Sequence, residues 1–366
     1  MNYSLAELCD QVLAARASFR PLLIRGGHTK SFYGNPFLQN GEPPVVLDTR
    51  SLRGIVNYQP TELVVTALAG TSLKEVVDTL DASGQMLAFD PPAFGLEATI
   101  GGCVAAGLAG PGRQGGGPLK DYVLGAHLLD AQSRVLKFGG EVMKNVAGYD
   151  VSRLLAGSMG MFGVIVQVSL KVAPKPVQTC TLEWDLAEDA ALQFCHGWRA
   201  LPLPVSASAW EPHSGQDARL RLRLSGASAA VNAARVKLGG RVVPADEAAR
   251  YWEDVREQRL SFFSTPTLWR VAVAPGTGPL KLGPTLFEWG GGQRWIAADC
   301  DAQHIQDVAA RAGGHATLFR FSAGQALPSH GVFQPMSPGV HTIVKRLKQE
   351  FDPQGLFNPS RLVVGV

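Results

Sequence analysis

The chain has 366 residues, a formal net charge of +3, and 46% hydrophobic against 18% charged residues, the balance of a globular protein with room for two domains. So small a net charge predicts no nucleic-acid or anionic-membrane surface. Five scattered cysteines (Cys9, Cys103, Cys180, Cys195 and Cys300) form no C-x-x-C pair, which argues against a disulfide framework or an iron–sulfur cluster and suits a reducing compartment. With no apolar leader and no apolar run long enough to span a bilayer, the expectation is a cytoplasmic protein whose membrane contact runs through a partner.

The chain opens on a capping box, Ser4-Leu5-Ala6-Glu7, and a stripe of Leu5, Leu8, Val12 and Leu13, predicting a helix to about Ala17. Pro21 to Ile24 reads as a strand running into Arg25-Gly26-Gly27-His28-Thr29-Lys30-Ser31. Successive N–H groups in such a turn can form a concave nest for phosphate oxygens. Val45 to Asp48 and Glu62 to Ala67 read as strands. Ser72-Leu73-Lys74-Glu75 caps a second helix with Leu73, Val76, Val77 and Leu80 facing inward, ended by Gly84.

Many of the 41 glycines crowd between residues 95 and 163 without a fixed period. The small-residue run from Gly95 to Gly117 permits close approach of main chain to a ligand, or of main chain to main chain. Within it, Gly110-Pro111-Gly112-Arg113-Gln114-Gly115 matches G-x-G-x-x-G, and Asp130 follows about 20 residues on, after a strand from Leu124 to Leu129. A dinucleotide fingerprint must open a crossover helix; Gly115-Gly116-Gly117-Pro118 cannot start one, so a Rossmann site is rejected.

Further on, Leu154-Leu155-Ala156 predicts a short helix, and Val164, Val166, Val168, Leu170 and Val172 a strand with one apolar face. Between them Gly157, Gly160 and Gly163 suggest main chain pressed against something flat or charged, or simply a chain turning from helix to strand. Ala173-Pro174-Lys175-Pro176 reads as a hinge and domain boundary. Beyond it, strands at Arg219 to Leu224, Trp269 to Ala274 and Arg294 to Ala298 interleave with helices at Ala229 to Leu238 and Glu247 to Arg256, an α+β layer suited to a lid or substrate domain. A last helix, Val340 to Phe351, leads into an ordered turn from Asp352 to Pro359.

Residues 25–30, Ala98 to Gly102, Lys144-Asn145-Val146-Ala147-Gly148-Tyr149-Asp150 and Gly157 to Ile165 follow the order and spacing of the vanillyl-alcohol-oxidase-type FAD-binding domain. With Leu356-Phe357-Asn358-Pro359-Ser360-Arg361, the chain resembles the FAD-binding E subunits of bacterial glycolate oxidase. The resemblance is dense from about 20 to 176, thin from 177 to 285, and recovered at Glu288 to Trp295 and the C-terminus. It implies an α+β fold: a PCMH/VAO-type FAD-binding domain over 1–174, made of two α+β subdomains, a smaller α+β cap or substrate domain over 177–330, and a segment 331–366 returning to the flavin.

The resemblance also implies cofactor residues. Arg25, Gly26, Gly27, His28, Thr29, Lys30 and Ser31 would cradle the FAD pyrophosphate; Pro92, Gly95, Ala98, Thr99, Ile100, Gly101 and Gly102, with Val164 and Ile165, would hold the ADP half. Gly157, Gly160 and Gly163 would let the chain lie against the cofactor, and Gly107 and Asn358 complete the set. Asn145, Gly148, Tyr149 and Asp150 would sit near the flavin or lock their loop, the plainer alternative being an Asx turn with a packed tyrosine. Superfamily members that attach FAD covalently carry a histidine four residues after the arginine, where this chain has Thr29, so non-covalent FAD is expected.

The D-type subunits and D-2-hydroxyacid dehydrogenases carry an H-G-x-G-N-x-H segment, where this chain reads Gly313 to Arg320 with His315 alone. His304, His330 and His341 are dispersed, and no metal is expected. Oxidising a 2-hydroxy acid such as glycolate needs a cation for the carboxylate and a base for the hydroxyl, with flavin as electron sink. Arg294, His315 and Arg320 are the candidates, each equally readable as an ordinary structural or surface residue. Two readings follow: a subunit that itself oxidises glycolate to glyoxylate, or a FAD-holding relay or assembly subunit whose paralogous D-type partner does so, which the missing histidine pair favours. In both, electrons leave through an iron–sulfur F-type subunit.

Overall fold

In a computed structural model, residues 3–37, 44–140, 150–212, 218–322 and 324–366 are described. Helix α1 (Tyr3–Ser18) lays Leu8, Val12 and Ala15 on a parallel pair, β1 (Leu22–Arg25) and β2 (Val45–Asp48). Ser4 lies inside this helix rather than capping it. Strands β3 (Ile55–Gln59) and β4 (Val64–Leu68) lead to α2 (Leu73–Asp81), which buries Leu73, Val76 and Leu80. Val77, expected to face inward, is 43% exposed.

After β5 (Gln85–Met86) come α3 (Ile100–Ala106), α4 (Arg113–Gly116), β6 (Val123–Leu129), β7 (Val135–Gly139), α5 (Val151–Leu154), β8 (Val164–Lys171) and β9 (Ala173–Pro174). A helical turn does form at Gly115-Gly116, against expectation, but α4 is one turn long. Strand β6, which follows it, pairs antiparallel with both neighbours in the sheet β3-β4-β8-β6-β7, so no Rossmann crossover exists here.

The apolar face expected along β8 is split by a bulge. Pairing jumps from His127↔Gln167 to Leu128↔Ile165, leaving Val166 as the extra residue. Val164 and Val166 therefore join the core under α1, whereas Ile165, Val168, Leu170 and Val172 join the core under α2 and α3. The bulged Val166 offers its carbonyl to the Ala69 N–H at 2.9 Å, drawing the chain after β4 over the end of β8. The segment read as a hinge is pinned instead: β9 pairs with β5, Lys175 forms an ion pair with Asp81, and its N–H donates to the Gly84 carbonyl.

The second half contributes β10 (Gln178–Asp185), α6 (Glu188–Trp198), β11 (Val205–Glu211), β12 (Arg219–Gly226), α7 (Ser228–Leu238), β13 (Arg241–Val243), α8 (Ala245–Arg256), β14 (Leu268–Ala272), β15 (Thr285–Glu288), β16 (Gln293–Ile296), α9 (Ala302–Arg311) and β17 (His315–Arg320). These strands form one sheet, β13-β10-β12-β11-β15-β16-β14-β17, with every pairing antiparallel. Alternation along the strands assigns the faces. Trp269, Val271, Ile296, Ala316 and Leu318 pack with Ile305 and Ala309 of α9. Leu268, Leu286, Trp295 and Phe319 point the other way and pack on Tyr33, Leu108 and Met159 of the first half.

Helix α10 (Pro338–Phe351) returns the chain to its beginning. The Leu22 N–H donates to the Leu356 carbonyl at 2.7 Å and the Asn358 N–H to the Leu22 carbonyl at 3.0 Å, setting Phe357 beside β1. Buried Lys348 holds this return, its Nζ donating to the Met161 carbonyl (2.6 Å), the Phe357 carbonyl (2.8 Å) and Asp352 (2.7 Å). Among the described residues, no helix is long and apolar enough to cross a membrane.

Candidate cofactor and active site

The turn after β1, the start of α3, the glycine turn before β8 and the C-terminal segment enclose a cleft of about 340 Å³. Its walls include Arg25, Gly26, Gly27, His28, Thr29, Lys30, Ser31, Thr99, Gly101, Gly102, Gly160, Gly163, Ile165 and Asn358. Among the described residues, the main-chain N–H groups of Gly26, Gly27, His28, Thr29 and Lys30 donate to no protein acceptor. His28 sits at φ 61°, and a left-handed residue within such a turn is what makes successive N–H groups converge. An unpaired row of donors on an open cleft suits an anion with several oxygens, and a pyrophosphate fits that chemistry.

The glycines are needed where chain packs on chain, one of the two reasons the sequence leaves open. A Cβ on Gly27 would collide with the Glu97 carbonyl, and one on Gly26 with the Thr99 hydroxyl. On Gly101 it would stand 2.6 Å from the Ala69 Cβ, and on Gly163, at φ 147°, 2.6 Å from the Leu129 carbonyl. Main chain presses on main chain, and the cleft is what these contacts leave between the loops. Gly107 and Gly157 lie outside it and back onto each other, since a Cβ on Gly107 would stand 2.7 Å from the Gly157 Cα.

Other expected residues are dispersed. Gly95 and Ala98, with Thr29, face a larger groove of about 1690 Å³ between the two halves. Ile100 and Val164 are core residues and Pro92 is buried, all outside the cleft lining. Asp150 caps α5, accepting from the Ser152 hydroxyl at 3.0 Å and pairing with Arg153 at 2.9 Å, the contacts of a turn lock. Asn145, Gly148 and Tyr149 lie outside the described residues.

Sequence reasoning passed over Tyr33, Thr49, Ala69, Ala106, Met159 and Arg361, which also line the cleft. Met159 and Arg361 had a signal, since both stand in the motifs that carry the resemblance; the Arg361 guanidinium donates to the carbonyls of Ser31 (3.2 Å), Tyr33 (2.7 Å) and Asn35, fixing the end of the turn after β1. Lys30 donates to the Ala93 carbonyl at 3.1 Å, and burial lowers its pKa. Burial raises the neighbouring Cys103 thiol to about 11, so that thiol stays protonated.

The three catalytic candidates do not converge. Arg294 is fully buried on the face of the cap sheet away from the cleft, its Nε donating to the Gly291 carbonyl (2.7 Å) and Nη2 to the Thr277 carbonyl (2.8 Å). Burial lowers its pKa to about 10. Arg320 is tied to the Phe263 carbonyl and Gln258, both at 2.8 Å. His315, at the start of β17, is on the sheet face turned toward the cofactor half; partial burial and the charges of Arg270 and Arg113 lower its pKa. Among the described residues, no group of three His, Cys, Asp or Glu is placed to hold a metal ion.

Comparison with known proteins gives this geometry a family. Residues 3–139 match the family described as FAD binding domain. The chain is 43% identical over 363 residues to glycolate oxidase subunit GlcE of Escherichia coli (strain K12), across 99% of this chain and 97% of that protein. The chain belongs to the GlcE family. FAD is accordingly its cofactor, and it is a flavoprotein of the oxidoreductase class. Shorter matches cover about a third of the relatives concerned: glycolate oxidase subunit GlcD of Bacillus subtilis (strain 168), 28% identical over 44% of this chain and 34% of that protein, and D-lactate dehydrogenase of Archaeoglobus fulgidus, 30% identical over 42% and 34%. A solved structure of alkyldihydroxyacetonephosphate synthase superimposes with a TM-score of 0.67 at 15% identity, covering 98% of this chain and 76% of that one. The α+β FAD-binding fold of the vanillyl-alcohol-oxidase type is thus the fold adopted.

Proposed function

We propose that this GlcE-family chain is the FAD-carrying subunit of a complex that oxidises glycolate to glyoxylate. The observation that carries the reading is the row of N–H groups from Gly26 to Lys30, which among the described residues have no protein acceptor and open on the cleft. When bound, FAD supplies a two-electron acceptor. The phosphate turn would hold its pyrophosphate, Thr99, Gly101 and Gly102 would border it, and Gly160, Gly163, Ile165 and Asn358 would line the opposite wall. The cofactor is held without a covalent bond. His28, though it lines the cleft, precedes the position from which relatives attach it, and that position is Thr29.

The partners are a D-type FAD subunit and an iron–sulfur subunit that takes the electrons, and membrane contact runs through that complex from the cytoplasm. The break between the two sheets near residues 174–177 supports a division into a FAD domain, a cap domain and a returning C-terminal segment.

A relay reading also has an observation in its favour: Arg294 and Arg320 are locked by structural hydrogen bonds and His315 has no second histidine beside it. In that reading the chain holds FAD and the D-type partner performs the oxidation. Anaerobic mixing of the FAD-loaded chain with glycolate separates the two. Bleaching near 450 nm, roughly where oxidised flavin absorbs, is the result expected of a catalytic subunit; bleaching only after partner subunits are added establishes the relay.

A further inference from the structure

Beside the cofactor cleft, two arginines lie against one indole ring, and among the described residues neither has an ion-paired acid. The guanidinium carbons of Arg113 and Arg270 lie 4.2 and 5.6 Å from the centroid of the Trp289 ring. That ring is fixed by its indole N–H, which donates to the Gly110 carbonyl at 3.1 Å. Neither arginine forms an ion pair among the described residues. Arg270 donates to the Gln293 amide oxygen at 2.7 Å, while the acid on the same sheet face, Glu288, accepts from Gln293 (3.1 Å) and Trp295 (2.7 Å).

Two other arginines packed into the cap have their acids. Arg221 pairs with Glu183 at 3.1 Å and Glu211 at 3.0 Å, and Arg256 with Asp90 at 3.3 Å and Glu257 at 2.8 Å. Holding two like charges over one ring without a counter-ion is unfavourable, and a bound anion removes that repulsion. The neighbourhood reinforces the point. The Arg270 charge reaches Tyr33, a residue of the cofactor cleft, and both arginines act on the His315 imidazole.

We propose that Arg113 and Arg270, over Trp289 and flanked by His315, receive the carboxylate of the substrate acid and orient it toward the cleft. The inference rests on the 2-hydroxy-acid reading above and replaces Arg294 and Arg320 as the carboxylate's cations. Two planar forks gathered around one indole match a planar carboxylate better than two ammonium groups would.

The test is calorimetric titration of the FAD-loaded full chain with oxalate, a carboxylate that has no α-hydrogen to lose. Saturable binding is expected, weakened about tenfold or more by Arg113→Gln and by Arg270→Gln, the scale of a lost charge-assisted hydrogen bond. Arg113→Lys and Arg270→Lys, which keep the charge and lose the fork, should fall between glutamine and wild type, and they decide the matter if a glutamine variant folds poorly. Flavin content, read from absorbance, should be the same in all of them. Wild-type protein that ignores oxalate, or variants that bind it as tightly as wild type, would overturn the proposal. A chain that takes up no FAD would sink the flavoprotein reading separately, since the heat of oxalate binding needs no flavin signal.

Discussion

The side-chain amide of Asn358 donates to the Met159 carbonyl at 2.6 Å while its oxygen accepts from the Ile24 N–H at 2.8 Å. One buried side chain thereby joins the C-terminal segment, the glycine turn and the strand that feeds the phosphate turn. Gly160 makes the room, since a Cβ there would stand 2.9 Å from the Asn358 Nδ2. Asn358→Ala strands a buried donor and a buried acceptor, at about 1–3 kcal/mol each. A melting point lowered by several degrees, with FAD retention weakened by about tenfold, is the expected outcome of thermal unfolding and flavin titration. An alanine variant with wild-type values for both would show the bridge to be idle.

Gly27 tests the packing of loop on loop. Because a Cβ would collide with the Glu97 carbonyl, Gly27→Ala must push the turn after β1 away from the turn that precedes α3. The two cores under the sheet do not include this residue, so the variant should fold. Its FAD affinity should drop at least about tenfold, the scale expected when preorganised charge-assisted donors are misplaced. Fluorescence quenching on FAD titration measures it. Wild-type affinity in Gly27→Ala would mean the turn tolerates displacement and does not hold the cofactor.

The turn after β1 was legible because a row of open N–H groups lives in main chain, and glycine-rich sequence permits that main chain. Regular elements with clear periodicity, such as α8 with Ala248, Tyr251, Trp252 and Val255 buried on one side, were legible for a related reason, since one buried stripe writes itself into the sequence. What hid from view depends on register. The bulge at Val166 moves half of β8 to another core, and nothing in an unbroken alternation of valines announces an extra residue. The cap strands hid their polarity similarly. Arg294 and Gln293 are neighbours in the chain and face opposite sides of the sheet, so residue type alone could not show which side a cation faces, and Arg270 was passed over inside an apolar strand. Arg113 was set aside with the rejected dinucleotide motif, although its position against Trp289 depends on a contact 176 residues away in sequence.

Arg294 should therefore prove structural. Arg294→Ala removes two hydrogen bonds to carbonyls, the one to Gly291 buried, and opens a cavity under β16, costing about 2–4 kcal/mol in urea unfolding. Flavin content and oxalate binding at a temperature where the variant remains folded should match wild type. A variant of normal stability that no longer binds oxalate would return Arg294 to the substrate site.

Glu288 sets a pH dependence of opposite sign to that of a salt-bridged carboxylate. One of its oxygens accepts from Trp295 and Gln293, the other is buried and among the described residues has no partner, and burial raises its pKa from the ordinary 4.5 to about 7 despite those two donors. Between these values the folded chain holds a proton that the unfolded chain has released, so stability falls as pH rises. The contribution is whole below pH 4.5 and gone above about 7, and the difference in pKa corresponds to about 3 kcal/mol. Glu288→Gln keeps an acceptor for both donors and cannot ionise. Subtracting its urea-unfolding free energies from those of wild type across pH 4.5 to 8 should give a curve that declines through this window, other titrating groups cancelling in the difference. A flat difference would mean that water or a bound cation reaches the second oxygen, and the carboxylate would then neutralise Arg270 and weaken the case for an external anion.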